Sequence, residues 1–254
     1  MAFDDEGRLI GSNTQDIFRT ASATGTPALW VPGVPNRSAL RHLSDGRIAV
    51  VQEMFRRVLV LLPDGSSKIL ASNLDYPFGL VEDLDGAVFI ADNSRIMRVD
   101  PESGDAAIWL ETPNFVSRWI SFDVDYDGMF VGGRTNTIHW VPIDESGQAG
   151  APFVWGTLPV PASDEGHTLV DGLGVDACGN VYAAEFYSKG LYRIPDGGGV
   201  GEQLVEWSEI EYGHGLQWGS GMGDWSETSL FLPQPYNAFN VVQVEIGVPS
   251  KPRP

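Results

Sequence analysis

The stretch that decides the fold is residues 170–184, VDGLGVDACGNVYAA. A short apolar segment is followed by an acidic turn that ends in Gly179, and a second apolar segment begins at Val181. The same unit recurs along the chain, and its second segment begins at Leu9, Ile48, Val88, Phe130, Val181 and Leu230. The spacings between these positions are 39, 40, 42, 51 and 49 residues, so one unit is repeated six times.

Each unit predicts four short strands. A polar loop follows the second strand, a third strand begins at positions such as Val58 or Leu191, and a fourth strand often ends in Trp. Helical periodicity is nowhere sustained. Four short strands every ~40 residues, joined by glycine-rich turns, are typical of propeller blades. The repeat therefore predicts an all-β, six-bladed β-propeller with four-stranded antiparallel blades around a central channel.

The ends of the chain bear on how the ring closes. The 254 residues suit one large all-β domain, and we predict a single propeller over 1–248 and a proline-rich C-terminal tail over 249–254. Proline lacks the amide donor of a strand, so the tail is not expected to supply the fourth strand of blade six. Blade one begins at its innermost strand, so we expect that fourth strand to be missing or to come from residues upstream of Met1.

Charge and composition exclude several classes of partner. Only 16 Lys and Arg oppose 34 Asp and Glu, giving a net charge of −18. A nucleic-acid-binding face needs clustered basic residues, so nucleic acid is not an expected partner. No apolar run is long enough for a membrane span. The single cysteine, Cys178, excludes an intramolecular disulfide. Separately, we expect a secreted or periplasmic protein whose leader has been removed.

The blade pattern also places a candidate site. The start of each innermost strand and the loop between the second and third strands lie at the same face, here called the top, and binding residues favour such loops. We expect a small-molecule or protein ligand there. The equivalent positions at the channel mouth in five successive blades are Ser38, Phe78, Arg118, Asp171 and His214. Top-face loops add Glu53, Glu185 and His167.

Asp171, His214 and His167 are the candidate catalytic residues. A carboxylate at Asp171 suits a hard cation or a general base, although it also suits a carboxylate that only accepts backbone N–H bonds. His214 lies between Gly213 and Gly215 and suits a general base, a metal ligand or a structural histidine. His167 lies four residues before Asp171 in an irregular loop.

The remaining candidates are ligand-binding residues. Arg118 at the mouth suits a clamp for a carboxylate, or a structural partner of Asp171. Phe78 and Ser38 complete the mouth. Glu53 and Glu185 are included as ligand contacts, with solvated loop charges as the alternative for both.

An acidic loop, residues 123–128 (DVDYDG), has the spacing that begins an EF-hand calcium loop. Position twelve of that loop would be Arg134 instead of Glu, and the predicted context is strand–turn–strand. The segment also coincides with the ordinary acidic turn of the repeat. We therefore treat it mainly as a turn, with a structural Ca²⁺ as the alternative.

Residues 170–184, and residues 76–80 (YPFGL) with 90–92 (IAD), resemble the units of SMP-30/gluconolactonase/regucalcin-like six-bladed propellers, and NHL-like repeats are similar. The resemblance extends over nearly the whole chain and implies fold more strongly than activity. It implies a divalent metal, usually Ca²⁺, held in the channel by residues of the innermost strands. Asp171 matches the Asp of an Asp-Gly ligand motif, whereas Arg118 stands where the family has Asn.

Two functions follow from these observations. The first is a propeller that binds a small molecule or protein at the channel mouth without catalysis. The alternative is a Ca²⁺-dependent lactonase or esterase, in which metal polarises the carbonyl and Asp171 or His214 activates water. The sequence leaves open whether the protein is an enzyme.

Overall fold

The computed structural model describes residues 1–36, 38–160, 167–207, 214–234 and 240–252. Within these residues the chain forms six β-sheets, and the strands of each sheet follow one another in sequence, except that one short strand pairs with the sheet of the preceding blade. All consecutive strand pairs within a sheet are antiparallel, as in a propeller blade. The predicted six-bladed β-propeller is confirmed.

Blades one to three each contain four strands. Blade one consists of β1 (Ala2–Phe3), β2 (Leu9–Ser12), β3 (Ile17–Thr20) and β4 (Ala28–Val31). Blade two consists of β5 (Leu40–His42), β6 (Ile48–Gln52), β7 (Arg57–Leu61) and β8 (Ser67–Ala71), with a 3₁₀ turn at Glu53–Phe55. Blade three consists of β9 (Pro77–Glu82), β10 (Val88–Asp92), β11 (Arg95–Val99) and β12 (Ala106–Glu111).

Blades four to six follow the same order, from the innermost strand outward. Blade four consists of β13 (Ser117–Phe122), β14 (Gly128–Gly133), β15 (Thr137–Pro142) and β16 (Phe153–Thr157). Blade five consists of β17 (Val170–Val175), β18 (Val181–Glu185), β19 (Gly190–Ile194) and, after the short β20 (Gly199–Val200), β21 (Glu202–Glu206). β20 pairs in parallel with β16, which joins blade five to blade four. Blade six contains β22 (Gln217–Trp218), β23 (Ser229–Gln234) and β24 (Asn240–Glu245).

The acidic turn of the repeat has a simple physical origin. In blade five, Oδ1 of Asp176 accepts the backbone N–H groups of Cys178 and Asn180, both at 2.9 Å. Gly179 follows with a φ of +84°, a left-handed conformation that glycine adopts without steric cost. Asp83 and Gly86 repeat the arrangement in blade three. The Asp-to-Gly pattern is therefore a tight-turn signal, which is why it marks blades so regularly.

Hydrophobic clusters between neighbouring blades form the core. The cluster that joins the last blade to the first contains Phe3 and Leu9 of blade one with Trp225 and Phe231 of blade six. Phe3 meets the rings of Trp225 and Phe231 edge to face, at centroid distances of 5.3 and 5.9 Å. The ring of the described chain therefore closes by side-chain packing between blades one and six.

The tail after blade six crosses the bottom of the propeller. The backbone N–H of Ala177 donates to the carbonyl of Pro249 at 2.9 Å, and the N–H of Lys251 donates to the carbonyl of Val175 at 3.0 Å. The indole of Trp218 donates to the carbonyl of Val248 at 3.0 Å. These bonds fasten the tail to blades five and six as far as residue 252, and residues 253–254 lie outside the described part.

Candidate functional site

Asp171 is the centre of the polar cluster at the channel mouth. It lies near the start of β17 and is only 1% exposed. Nε of Arg118 donates to its Oδ1 at 2.5 Å, and Nε1 of Trp119 donates to the same oxygen at 3.0 Å. Nδ1 of His214 lies 2.6 Å from the other oxygen, Oδ2. Blades four, five and six thus meet at one carboxylate.

Two glycines allow this meeting. A Cβ placed on Gly172 would lie 2.7 Å from the backbone carbon of Gly215, a distance that no real side chain tolerates. The N–H of Gly215 donates to the carbonyl of Asp171, so the two backbones touch directly. Gly172 and Gly215 therefore allow the side chains of the residues before them, Asp171 and His214, to approach each other. Gly213, on the other side of His214, lies outside the described residues.

The charge of Asp171 is stabilised by its partners. Burial by itself would raise the pKa of the Asp171 carboxyl, but the bond to His214 and the positive charge of Arg118 outweigh burial and lower that pKa. Asp171 is therefore ionised at neutral pH. The sequence allows Arg118 to be a clamp for a ligand carboxylate or a structural partner of Asp171. The structure contains the ion pair with Asp171.

The other side of the mouth is aromatic and acidic. The guanidinium of Arg118 stacks over the ring of Phe78, 3.4 Å from its centroid, and Tyr76 meets that ring edge to face at 4.7 Å. A hydrogen bond to Glu53, assisted by partial burial, raises the pKa of the Tyr76 phenol. The hydroxyl of Ser38 donates to Oε2 of Glu53 at 3.4 Å. The structure therefore brings Ser38, Glu53 and Phe78 to one side of Arg118.

A row of rings extends from His214 to His167. Phe186 meets His214 edge to face at a centroid distance of 5.0 Å, and Tyr187 meets Phe186 at the same distance. The ring of His167 lies 6.3 Å from that of Tyr187, at the exposed end of the row. His167 is thus placed next to Tyr187, two rings away from His214.

Glu185 has a different environment from the other candidates. Its side chain is fully buried, and Oε1 accepts the backbone N–H of Leu169 at 2.6 Å. Oε2 accepts the N–H of Ser188. Both carboxylate oxygens therefore accept backbone N–H groups, and these hydrogen bonds anchor the loop that carries Phe186 and Tyr187.

Three residues of the mouth were missed from the sequence. Trp119, Tyr76 and Phe186 each contact a residue that the sequence did predict. Trp119 had a usable signal, because a buried indole N–H needs an acceptor and the residue directly follows Arg118. Tyr76 and Phe186 lie close in sequence to Phe78 and Glu185 but do not occupy an aligned mouth position, so the repeat gave no reason to select them.

The arrangement does not suit a divalent metal at Asp171. One of its oxygens accepts two N–H donors and the other lies against an imidazole nitrogen, so a metal would have to displace these partners. The neighbouring Arg118 charge would also repel a cation. In the described part of the chain, no group of three or more His, Cys, Asp or Glu side chains is arranged to hold a metal.

The acidic loop at residues 123–128 contains a carboxyl pair. Burial, together with a hydrogen bond and like-charge repulsion from Asp127, raises the pKa of Asp123 to about 6. The loop forms the turn between β13 and β14, as the repeat predicts.

Comparisons with known proteins identify the fold. No family profile and no curated protein sequence matches the chain. Among solved structures, a gluconolactonase from Xanthomonas campestris superposes with a TM-score of 0.76 at 13% identity, over 98% of this chain and 84% of that one. Regucalcin from Agrobacterium tumefaciens, described as a calcium-binding protein, gives 0.73 at 16% identity, over 99% and 90%. Virginiamycin B lyase from Staphylococcus aureus gives 0.62 at 17%, over 96% and 82%.

These identities are too low to transfer an activity, and they report the arrangement of the blades. No helix among the described residues has the length and apolar character needed to cross a bilayer.

The superpositions show that the chain has the six-bladed β-propeller fold of gluconolactonase-like and regucalcin-like proteins, as the resemblance of its repeat units implied.

Proposed function

We propose that the chain is an enzyme that opens lactones or related esters by general-base catalysis at the channel mouth. The observation that carries the proposal is the 2.6 Å contact between Nδ1 of His214 and Oδ2 of Asp171. In the proposed enzyme the buried carboxylate accepts the Nδ1 proton of His214 and orients the imidazole, so that the other ring nitrogen, Nε2, carries the lone pair. That nitrogen is the proton acceptor that a general base requires.

The chemistry uses residues of this chain only. Nε2 of His214 takes a proton from water while the water oxygen forms a bond to the ester carbonyl carbon. The carbon–oxygen bond of the ester then breaks, and the proton passes from His214 to the leaving oxygen to give a hydroxy acid. Asp171 stabilises the transient imidazolium, and the positive charge of Arg118 beside it favours the anionic tetrahedral intermediate.

One solved neighbour with the same fold is a gluconolactonase, so this fold can carry a lactone-opening site. Since the contacts of Asp171 do not suit a divalent metal, we propose a reaction in which Asp171 ligates no Ca²⁺. This differs from the metal-dependent lactonase that the sequence resemblance implies.

The experiment is a hydrolysis screen with five- and six-membered lactones and aryl esters, followed by pH-stat and run with and without EDTA. His214→Gln is expected to lower kcat/KM by about 10²–10⁴-fold, the usual contribution of a general base. His42→Gln is the matched control, because its imidazole also faces a carboxylate, Asp5 at 3.3 Å, outside the mouth. Full activity in His214→Gln, or complete loss on adding EDTA, would contradict the proposed mechanism.

A second candidate is ligand binding without turnover, and the aromatic side chains favour it. Phe78, Tyr76, Phe186 and Tyr187 offer rings around the charged cluster, a lining that suits a planar or apolar ligand. Quenching of the protein's tryptophan fluorescence by a compound that it does not hydrolyse, and loss of that quenching in Trp119→Phe, would favour this candidate over the enzyme.

A further inference from the structure

Buried carboxylates occupy the same position in two blades. Asp92 ends β10 in blade three and Glu185 ends β18 in blade five, each four residues after the aligned start of its strand. Each pairs with the first residue of the innermost strand of its blade, Pro77 or Val170. Both side chains are fully buried. A carboxylate is kept away from water only where hydrogen bonds replace its hydration, so the bonds that each one accepts show what it holds in place.

One oxygen of Glu185 holds the segment that carries Asp171. Oε1 accepts the N–H of Leu169 at 2.6 Å, and Leu169 lies two residues before Asp171. The carbonyl of Leu169 in turn accepts the N–H of Phe186 at 2.9 Å. The two segments are thus tied to each other beside Glu185, and the start of β17 cannot shift without breaking these bonds.

The other oxygen of Glu185 holds the loop whose ring contacts His214. Oε2 accepts the N–H of Ser188. Phe186, which lies between Glu185 and Ser188, packs edge to face on His214 at a centroid distance of 5.0 Å. A single buried carboxylate therefore supports both sides of the contact between Asp171 and His214.

Asp92 supports the aromatic side of the mouth. Its Oδ1 accepts the N–H groups of Asp75 and Tyr76, at 2.8 and 2.7 Å. Its Oδ2 accepts a hydrogen bond from Nε of Arg95 at 2.9 Å. Tyr76 then meets Phe78 edge to face at 4.7 Å. Asp92 therefore fixes the backbone that carries the rings on this side.

We propose that Glu185 and Asp92 are positioning residues with separate tasks. Glu185 aligns Asp171 and His214 for the proton transfer, and Asp92 sets the rings that bind the substrate. The inference rests on the proposed hydrolysis, and it divides the mouth into a reacting half and a binding half. Alignment matters most in the transition state, whereas the rings contact the substrate equally before and during the reaction. The two carboxylates should therefore affect different kinetic constants.

The first test compares Glu185→Gln with Asp92→Asn in lactone hydrolysis. Either amide places an NH₂ group against a backbone N–H or a guanidinium, so the segment that the carboxylate held is released with little change in side-chain volume. Glu185→Gln is expected to lower kcat by about 10- to 100-fold with KM within about twofold of the wild-type value. Asp92→Asn is expected to raise KM by about fivefold or more, with kcat within about twofold.

Glu82→Gln is the matched control for a buried carboxylate that holds backbone. Glu82 is 6% exposed and accepts the N–H of Ser44 at 2.7 Å, at the opposite face of the propeller. This variant should lose stability but keep kcat and KM when all proteins are assayed well below the lowest Tm. A kcat loss in Glu82→Gln or in Asp92→Asn as large as that in Glu185→Gln would overturn the proposal.

A spectroscopic measurement does not depend on turnover. In the proposed enzyme the Nδ1 proton of His214 is held by Asp171 and should give a downfield proton resonance, assigned by its loss in His214→Gln. We expect this resonance to shift or broaden in Glu185→Gln and to stay unchanged in Asp92→Asn. If Glu185→Gln does not fold, Phe186→Leu should shift the resonance in the same way, because it removes the ring beside His214.

The outcomes separate this inference from the proposed function. If the wild-type protein hydrolyses lactones or esters but kcat or the His214 resonance is unchanged in Glu185→Gln, the positioning role is wrong and the hydrolysis stands. If the wild-type protein hydrolyses neither, the proposed function fails, and the inference that rests on it fails with it.

Discussion

Replacing Arg118 by Met tests whether the mouth depends on its buried ion pair. Asp171 is 1% exposed and the Arg118 side chain 12%, so removing the guanidinium leaves a carboxylate that water cannot reach. Breaking a buried pair in this way costs about 3–5 kcal/mol, and the lost stacking on Phe78 adds to it. The imidazole of His214 still faces the other oxygen of Asp171 and offsets part of this cost, so we expect a loss of about 3 kcal/mol and a Tm roughly 6–12 °C lower.

The same variant should change the pH dependence of stability. In the wild-type protein the pKa of Asp171 lies below its unfolded value, so its contribution is present above about pH 4 and is lost as the pH falls through the folded-state pKa. Without Arg118 that pKa rises, because burial still opposes the charge. The loss of stability on acidification should therefore begin at a higher pH in Arg118→Met.

Urea unfolding followed by tryptophan fluorescence, at several pH values from 5 to 8, measures both effects. Arg98→Met is the matched control, because Arg98 is about half exposed and lies 4.0 Å from Asp83. It should cost about 0.5 kcal/mol or less. Adding Asp171→Asn to Arg118→Met should recover part of the loss, since no unpaired charge then remains. A loss below about 1 kcal/mol with an unchanged pH profile would refute the account of Asp171 as a buried, paired carboxylate.

Two further changes test separate features. Gly172→Ala should separate the blades at the mouth, because its Cβ would meet Gly215 at 2.7 Å; we expect a loss of about 2 kcal/mol and of most activity, measured by thermal melting and lactone hydrolysis. Gly11→Ala, where no atom lies within 4 Å, is the control, and equal effects in both would contradict the argument. Asp123 has its pKa raised to about 6, so the folded state gains stability from its proton at low pH and loses it as the pH rises through 6. Asp123→Asn should therefore stabilise the protein at pH 7 by about 1 kcal/mol but not at pH 4. If the Tm of Asp123→Asn at pH 7 is no higher than that of the wild-type protein, Asp127 does not repel the Asp123 carboxylate.

Several parts of the candidate site could be predicted from the repeat. The alignment of blades placed Arg118, Asp171 and His214 at equivalent positions, and these three side chains do meet. It gave no information on which atoms pair. Glu185 is the instructive case: its position in a top-face loop suggested a ligand contact, yet its two carboxylate oxygens both accept backbone N–H groups. A sequence position specifies the face of a blade and leaves the direction of the side chain open.

The sequence by itself determined the architecture. Turns that combine an Asp with a left-handed Gly are local, involving bonds between residues two and four apart, so each of them can be recognised without knowing the rest of the chain. Blades one, three and five have turns of this form, and the six repeat units as a whole then specify six blades, because each blade must bury both of its faces against neighbours. The number of blades and the location of the channel follow from the pattern alone.

Only the tertiary structure decided what fills the channel. Arg118 and Asp171 are 53 residues apart, and Lys251 lies in the channel floor beside Tyr126, which comes from blade four. These contacts depend on the ring closing and on the tail crossing beneath it, and neither event leaves a local signal. The charges at the mouth are therefore properties of the closed ring, where side chains from distant blades share a space that water barely reaches.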